Sequence, residues 1–66
     1  MKVTYDPEAD ALYIALKDVD VERSSDLEGG MVIDYDKNGD VVGVEILHAS
    51  RRIENPHGVE YAVAAS

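Results

Sequence analysis

Residues 31–47, MVIDYDKNGDVVGVEIL, decide the fold. Two runs rich in Val and Ile flank Asn38-Gly39. That dipeptide is a strong hairpin signal, because a type I′ turn needs positive φ at both central residues. With Asn38 and Gly39 as a two-residue loop, Tyr35 falls opposite Val42, Ile33 opposite Val44 and Met31 opposite Ile46. All three pairs share one face. Asp34, Asp36, Val41, Gly43 and Glu45 take the other. A slip of one residue sets Ile33 against Gly43 and mixes the faces, so the apolar pattern itself selects the register.

Upstream, Lys2 to Asp6 alternates as a short strand, with Val3 and Tyr5 facing one way. Asp6-Pro7-Glu8-Ala9-Asp10 is a turn, since Pro7 presets φ and the Asp6 side chain can cap the backbone behind it. Ala11 to Lys17, ALYIALK, alternates as a strand with Leu12, Ile14 and Leu16 on one face. A helix starting at Asp6 and Pro7 is the competing reading. Strand is preferred, because a short chain with one clear hairpin needs further strands for a stable sheet. Asp18-Val19-Asp20 is a second turn, and VERSSDL, residues 21–27, a polar strand. Glu28-Gly29-Gly30 breaks the pattern before the hairpin. Beyond Leu47 the period changes. His48 to Glu54 reads as a short helix with Ser50 as N-cap, stopping near Asn55 because Pro56 restricts the residue before it. The tail, residues 57–66, is open between an added strand, a short helix and frayed chain.

The fold class that follows is α+β and β-rich, an antiparallel meander sheet of four to five strands with one short C-terminal helix. Residues 1–56 form a single domain and 57–66 a tail. One sheet face collects Val3, Tyr5, Leu12, Ile14, Leu16, Met31, Ile33, Tyr35, Val42, Val44 and Ile46. A helix of about six residues is only about 9 Å long and cannot cover such a face. A second copy stacked on it is the simplest cover, so a homodimer or higher oligomer is expected.

Composition narrows the partners. The chain has 66 residues and no cysteine, which removes disulfides as a stabilising device and weakens the case for structural zinc. Fourteen acidic residues against six basic give a net charge of −8. Such a chain repels nucleic acid and anionic membrane surfaces and favours a basic protein partner. Met1-Lys2 leads straight into a strand pattern, so no signal peptide and a cytoplasmic location are expected.

YDPEADALYIAL near the N-terminus, the later DYDKNGDVVGVEILHAS and the closing IENP together resemble the small bacterial family catalogued as domain of unknown function 2283. The resemblance covers roughly Met1 to Pro56. It implies a small β-rich cytoplasmic fold with no established activity and no assigned catalytic residues. It also implies, for some members, a neighbouring small toxin-like protein whose acidic partner this chain would be.

One motif is sharp. Asp34 to Glu45 matches the EF-hand loop D-x-[DN]-x-[DN]-G-x5-E, with Asp34, Asp36, Asn38, Asp40 and Glu45 as oxygen ligands. An EF-hand loop joins two helices, however, and the flanks here have the period of strands. Asn38-Gly39 is explained by the turn, and the acids by a wet face. The match is judged coincidental, and neither metal nor cofactor is expected. Arg51-Arg52 is the one basic doublet. Tyr13, Ala15, Val32, Val41 and Leu47 form a moderately apolar patch on the face opposite the core. Tyr13, Val32, Val41, Arg51 and Arg52 are therefore the candidate partner-binding residues. No residue is assigned a catalytic role. The preferred function is a non-catalytic protein-interaction module. The alternative is a small enzyme whose site forms at a homo-oligomer interface from Asp34, Asp36, His48 or Arg51.

Overall fold

The computed structural model describes residues 1–65. Five strands form one antiparallel sheet: β1 (Lys2–Asp6), β2 (Ala11–Ala15), β3 (Arg23–Leu27), β4 (Met31–Tyr35) and β5 (Val41–Leu47). One short helix, α1 (Ala49–Arg52), follows. The β-rich α+β architecture is the expected one. Its connectivity differs from a full meander, since the spatial order is β1-β2-β5-β4-β3 and β2 pairs with β5. The reason is burial. β5 is the most apolar strand and takes the centre, whereas the polar β3, RSSDL, is left at an edge, where charged and hydroxyl side chains meet water.

The strand at residues 11–15 excludes the helical alternative for ALYIAL. It is shorter than expected at its far end. Leu16 and Lys17 both donate their N–H to the Val42 carbonyl, at 2.8 and 3.3 Å, so the ladder loses its regular step there. That carbonyl belongs to a β-bulge. Met31 pairs with Ile46 and Ile33 with Val44, as the alternation requires, but Tyr35 pairs with Val41 and not with Val42. The extra residue is Val42, which is 2 % exposed. A bulge sets two residues against one and re-aims side chains. Here it keeps Val42 inside and brings Val41 opposite Tyr35.

The turn differs with the register. Asp36 N–H donates to the Asp40 carbonyl at 3.0 Å and Gly39 N–H to the Asp36 carbonyl at 3.1 Å. The connection is therefore a loop of Lys37, Asn38 and Gly39, with positive φ (84°) at Gly39 and not at Asn38. Three-residue loops of this kind end in a left-handed residue. The Asp36 carboxylate accepts from the N–H of Asn38 (2.9 Å) and of Asp40 (3.0 Å) through one oxygen, which fixes the loop from within.

Ser50 is not the N-cap of α1. His48 holds that position, in the left-handed region at φ 54°, and offers no side-chain cap. The cap comes instead from Asp10, 40 residues earlier in the chain. Its carboxylate accepts from Ser50 N–H at 2.9 Å and from Ser50 Oγ at 2.7 Å, and its backbone carbonyl accepts from Ala49 N–H at 2.9 Å. Ile53 is already extended, so the helix is shorter than the His48 to Glu54 expected from sequence. Beyond it, residues 58–65 have neither strand nor helix, which removes both regular alternatives for the described part of the tail. The His57 ring meets Tyr5 edge-on, with centroids 5.1 Å apart.

The sheet has two unlike faces. Register places Val3, Tyr5, Leu12, Ile14, Met31, Ile33, Tyr35, Val44 and Ile46 on one side, the apolar face. Among the described residues only Leu12, Val42 and Ala49 are buried apolar side chains; the others on this face are half-buried. The radius of gyration is 12.9 Å, against about 11 Å for a compact domain of this length. The accessible surface is 5197 Å², against about 4,100 Å² for a folded monomer of its mass. The exposed tail, where Val59, Tyr61 and Val63 stand in solvent, contributes to the difference.

Candidate functional site

The polar face carries a row of hydrogen bonds that crosses four strands. Tyr13 on β2 donates its hydroxyl to Asp34 Oδ2 at 2.7 Å, and Ser24 on β3 donates to Asp34 Oδ1 at 2.5 Å. β5 lies between Tyr13 and Asp34, and the residue it places there is Gly43, opposite both Ala15 and Asp34. A Cβ at Gly43 would stand 1.9 Å from Tyr13 Oη and 2.6 Å from its Cζ. Only a residue without a side chain lets the phenol lie across β5 and reach Asp34. The bond to Asp34, helped by partial burial and the nearby carboxylates, raises the Tyr13 phenol above its ordinary pKa of 10.0. The row is thus a neutral phenol and a hydroxyl donating to one carboxylate, a rigid brace with both carboxylate oxygens occupied.

A second cluster stands at the other end of the sheet. Asp10, at φ 53°, receives Tyr5 Oη at 2.7 Å as well as the two bonds from Ser50. The Ser50 hydroxyl, then the Tyr5 hydroxyl, then the Ser50 N–H hold the Asp10 carboxyl below its ordinary pKa of 3.8. The same bond raises the Tyr5 phenol. Asp10 is a positioning residue. It ties the β1–β2 turn to the start of α1.

The candidate residues distribute as follows. Tyr13 is committed to Asp34, and Val32 lies in the row between Glu45 and Asp26. Val41, 39 % exposed, stands opposite Tyr35 because of the bulge, and so leaves the Tyr13 patch for the neighbourhood of the apolar face. Arg51 and Arg52 are exposed in the last turn of α1, with the Arg52 guanidinium alongside Gly29 and Gly30. These five do not form one patch. Nor do Asp34, Asp36, His48 and Arg51 converge within a chain. Asp36 follows β4 at one end of the sheet and His48 follows β5 at the other, a strand length of roughly 17 Å apart.

The EF-hand letters sit on a hairpin. Strands β4 and β5 flank the loop where helices would be required, Asp34 points to Tyr13 and Ser24, and Asp36 to its own loop. Among the described residues no group of three or more His, Cys, Asp or Glu side chains is arranged to hold a metal ion. Sequence reasoning missed the Tyr13–Gly43–Asp34 crossing and the Asp10 cluster. A glycine in the middle of an otherwise Val- and Ile-rich strand was the available signal for the first, because such a glycine marks a close approach. The second joins residues 40 apart and left no local pattern.

The chain is thus a small acidic sheet with one short helix, carrying a polar brace on one face and a half-buried apolar surface on the other. The chain belongs to the family described as "Protein of unknown function (DUF2283)", whose model matches residues 2–50. It is similar to an uncharacterised protein of Methanocaldococcus jannaschii, at 43 % identity over 51 residues, 77 % of this chain and 43 % of that relative. The chain therefore spans less than half the length of this relative. Restriction of the family to bacteria has no support in these matches. No solved structure matches the chain. Among the described residues no helix is long and apolar enough to cross a membrane.

Proposed function

We propose that the chain is a non-catalytic, cytoplasmic interaction module whose apolar sheet face receives a basic polypeptide. The observation that carries this reading is the state of that face. Ile14, Ile33, Val44 and Ile46 occupy the middle of a five-stranded sheet, where a folded domain ordinarily buries its aliphatic side chains, and all four remain half-buried. The net charge of −8 supplies the sign of the partner. A second copy stacked on the same face is the competing occupant. An enzyme assembled between copies from Asp34, Asp36, His48 and Arg51 is favoured by no observation of this structure.

The test is capture by the tagged chain from its native cytosol at low salt. The reading expects a stoichiometric basic partner, released as salt is raised and absent when Ile33→Ser replaces the wild type. Ile33→Ser is checked for folding by circular dichroism. Capture of nothing at low salt, or of a partner indifferent to Ile33→Ser, contradicts it.

A further inference from the structure

The two edges of the sheet are unlike. β3 is a protected edge: it is polar, its Arg23 guanidinium lies over the Tyr35 ring at 4.0 Å from the centroid, and its Ser24 hydroxyl is used by Asp34. Paired antiparallel with a second β3 about its central Ser25, it would set Ser24, whose hydroxyl is already given to Asp34, against Asp26 and Arg23 against Leu27, with no opposite charges and no apolar pair. β1, the other edge, has no proline and no bulge, and no strand lies on its outer side among the described residues. Such an edge is a template for pairing with another strand.

We propose that β1 pairs antiparallel with β1 of a second copy about a two-fold axis at Thr4, so that two chains form one continuous ten-stranded sheet. The residues of β1, Lys2-Val3-Thr4-Tyr5-Asp6, are self-complementary in that register. Lys2 of each copy meets Asp6 of the other, twice, on the polar face, where both side chains are exposed. Val3 of each copy meets Tyr5 of the other, twice, on the apolar face. Thr4 meets itself. Opposite charges and aromatic–β-branched pairs are the cross-strand combinations that stabilise a ladder. This register is the one that overlaps all five residues and keeps the apolar residues of both copies on the same side. The axis runs normal to the sheet, so the apolar faces of the two copies become one surface with the same outlook. Self-association of this geometry differs from the face-to-face stacking expected from sequence, since it leaves the apolar face free. It is independent of what binds there.

Sedimentation of the full chain at micromolar concentration, with Lys2→Glu and Ile33→Ser alongside, tests the proposal. The wild type and Ile33→Ser are expected at twice the 7.2 kDa chain mass. Lys2→Glu, which sets like charges opposite each other at two places, is expected to weaken the dimer on the order of tenfold or more while its circular dichroism is unchanged. Thr4→Cys supplies an independent reading, because the chain has no cysteine of its own. Mild oxidation is expected to convert it to a disulfide-linked dimer, and to leave Ser25→Cys, at the centre of the other edge, largely unlinked. A monomeric wild type, a dimer indifferent to Lys2→Glu, or equal cross-linking of the two cysteine variants overturns the proposal. Loss of the dimer in Ile33→Ser with retention in Lys2→Glu also overturns it, and assigns the contact to the apolar face.

Discussion

The Tyr13 hydroxyl reaches Asp34 Oδ2, 2.7 Å away, by passing directly over Gly43. Gly43→Ala therefore meets the phenol ring itself, and something must shift. The expected cost is about 1–3 kcal/mol, the usual range for forcing an extra methyl into a packed place. Thermal unfolding of Gly43→Ala, Tyr13→Ala and the double variant checks the origin of that cost. In the Tyr13→Ala background the alanine at 43 is expected to cost markedly less, because the two residues are coupled. Strict additivity would disconnect them.

Stability is expected to fall at both ends of the pH range, for separate reasons. Asp10 has a lowered pKa in the folded chain. Its contribution is present above the unfolded value and lost as pH falls through the folded value. Tyr13 has a raised pKa, so its contribution is present below its ordinary 10.0 and lost as pH rises through the folded value. Urea midpoints measured against pH should show Asp10→Asn flattening the acid limb, and Tyr13→Phe removing the part of the alkaline limb that does not belong to Tyr5, whose phenol is raised by Asp10. Asparagine suits the test because it tolerates the left-handed backbone found at residue 10.

Calcium should bind no more tightly than about millimolar, whereas a sensor-type EF-hand loop binds in the range of about 10⁻⁷ to 10⁻⁵ M. The carboxylates of Asp34 and Asp36 are already engaged with different partners. Calorimetric titration decides the matter, and micromolar affinity would contradict the hairpin reading of residues 34–45.

The inner pairs of the central hairpin, Met31 with Ile46 and Ile33 with Val44, were legible because period-two alternation admits one register. Its loop was not. Asn-Gly suggests a two-residue type I′ turn, but the Asp36 carboxylate binds the N–H groups of Asn38 and Asp40 and favours the longer loop, which needs positive φ at Gly39 and not at Asn38. The order of strands was hidden for another reason. Local turn signals are the same whether β2 pairs with β3 or with β5, and only the polarity of RSSDL hinted that it belonged at an edge. Ser50 looked like a cap because Asp10, which caps from across the sheet edge, is distant in sequence.

Leu12, 5 % exposed, lies between Tyr5 of β1 and Ile46 of β5 in the ladder. Leu12→Ala is expected to cost about 2–5 kcal/mol. With so few buried side chains among the described residues this is a large part of the total, since domains are stable by only about 5–15 kcal/mol. Chemical denaturation at neutral pH should show a strongly lowered midpoint or an unfolded chain. An unchanged midpoint would place the core elsewhere.

Val32 and Ile33 are neighbours on β4 and face opposite sides of the sheet, which makes them the sharpest probes of where a partner binds. With no cysteine elsewhere in the chain, Val32→Cys and Ile33→Cys each carry a single thiol whose labelling rate by a neutral maleimide reports its face. The thiol at 33 is expected to react readily in the isolated chain and to be blocked once the captured partner is bound, while the thiol at 32 keeps its own rate throughout. Protection at 32 instead of 33, or protection at neither, would contradict the apolar face as the binding surface. Protection at 33 in the isolated chain would give that face to a second copy.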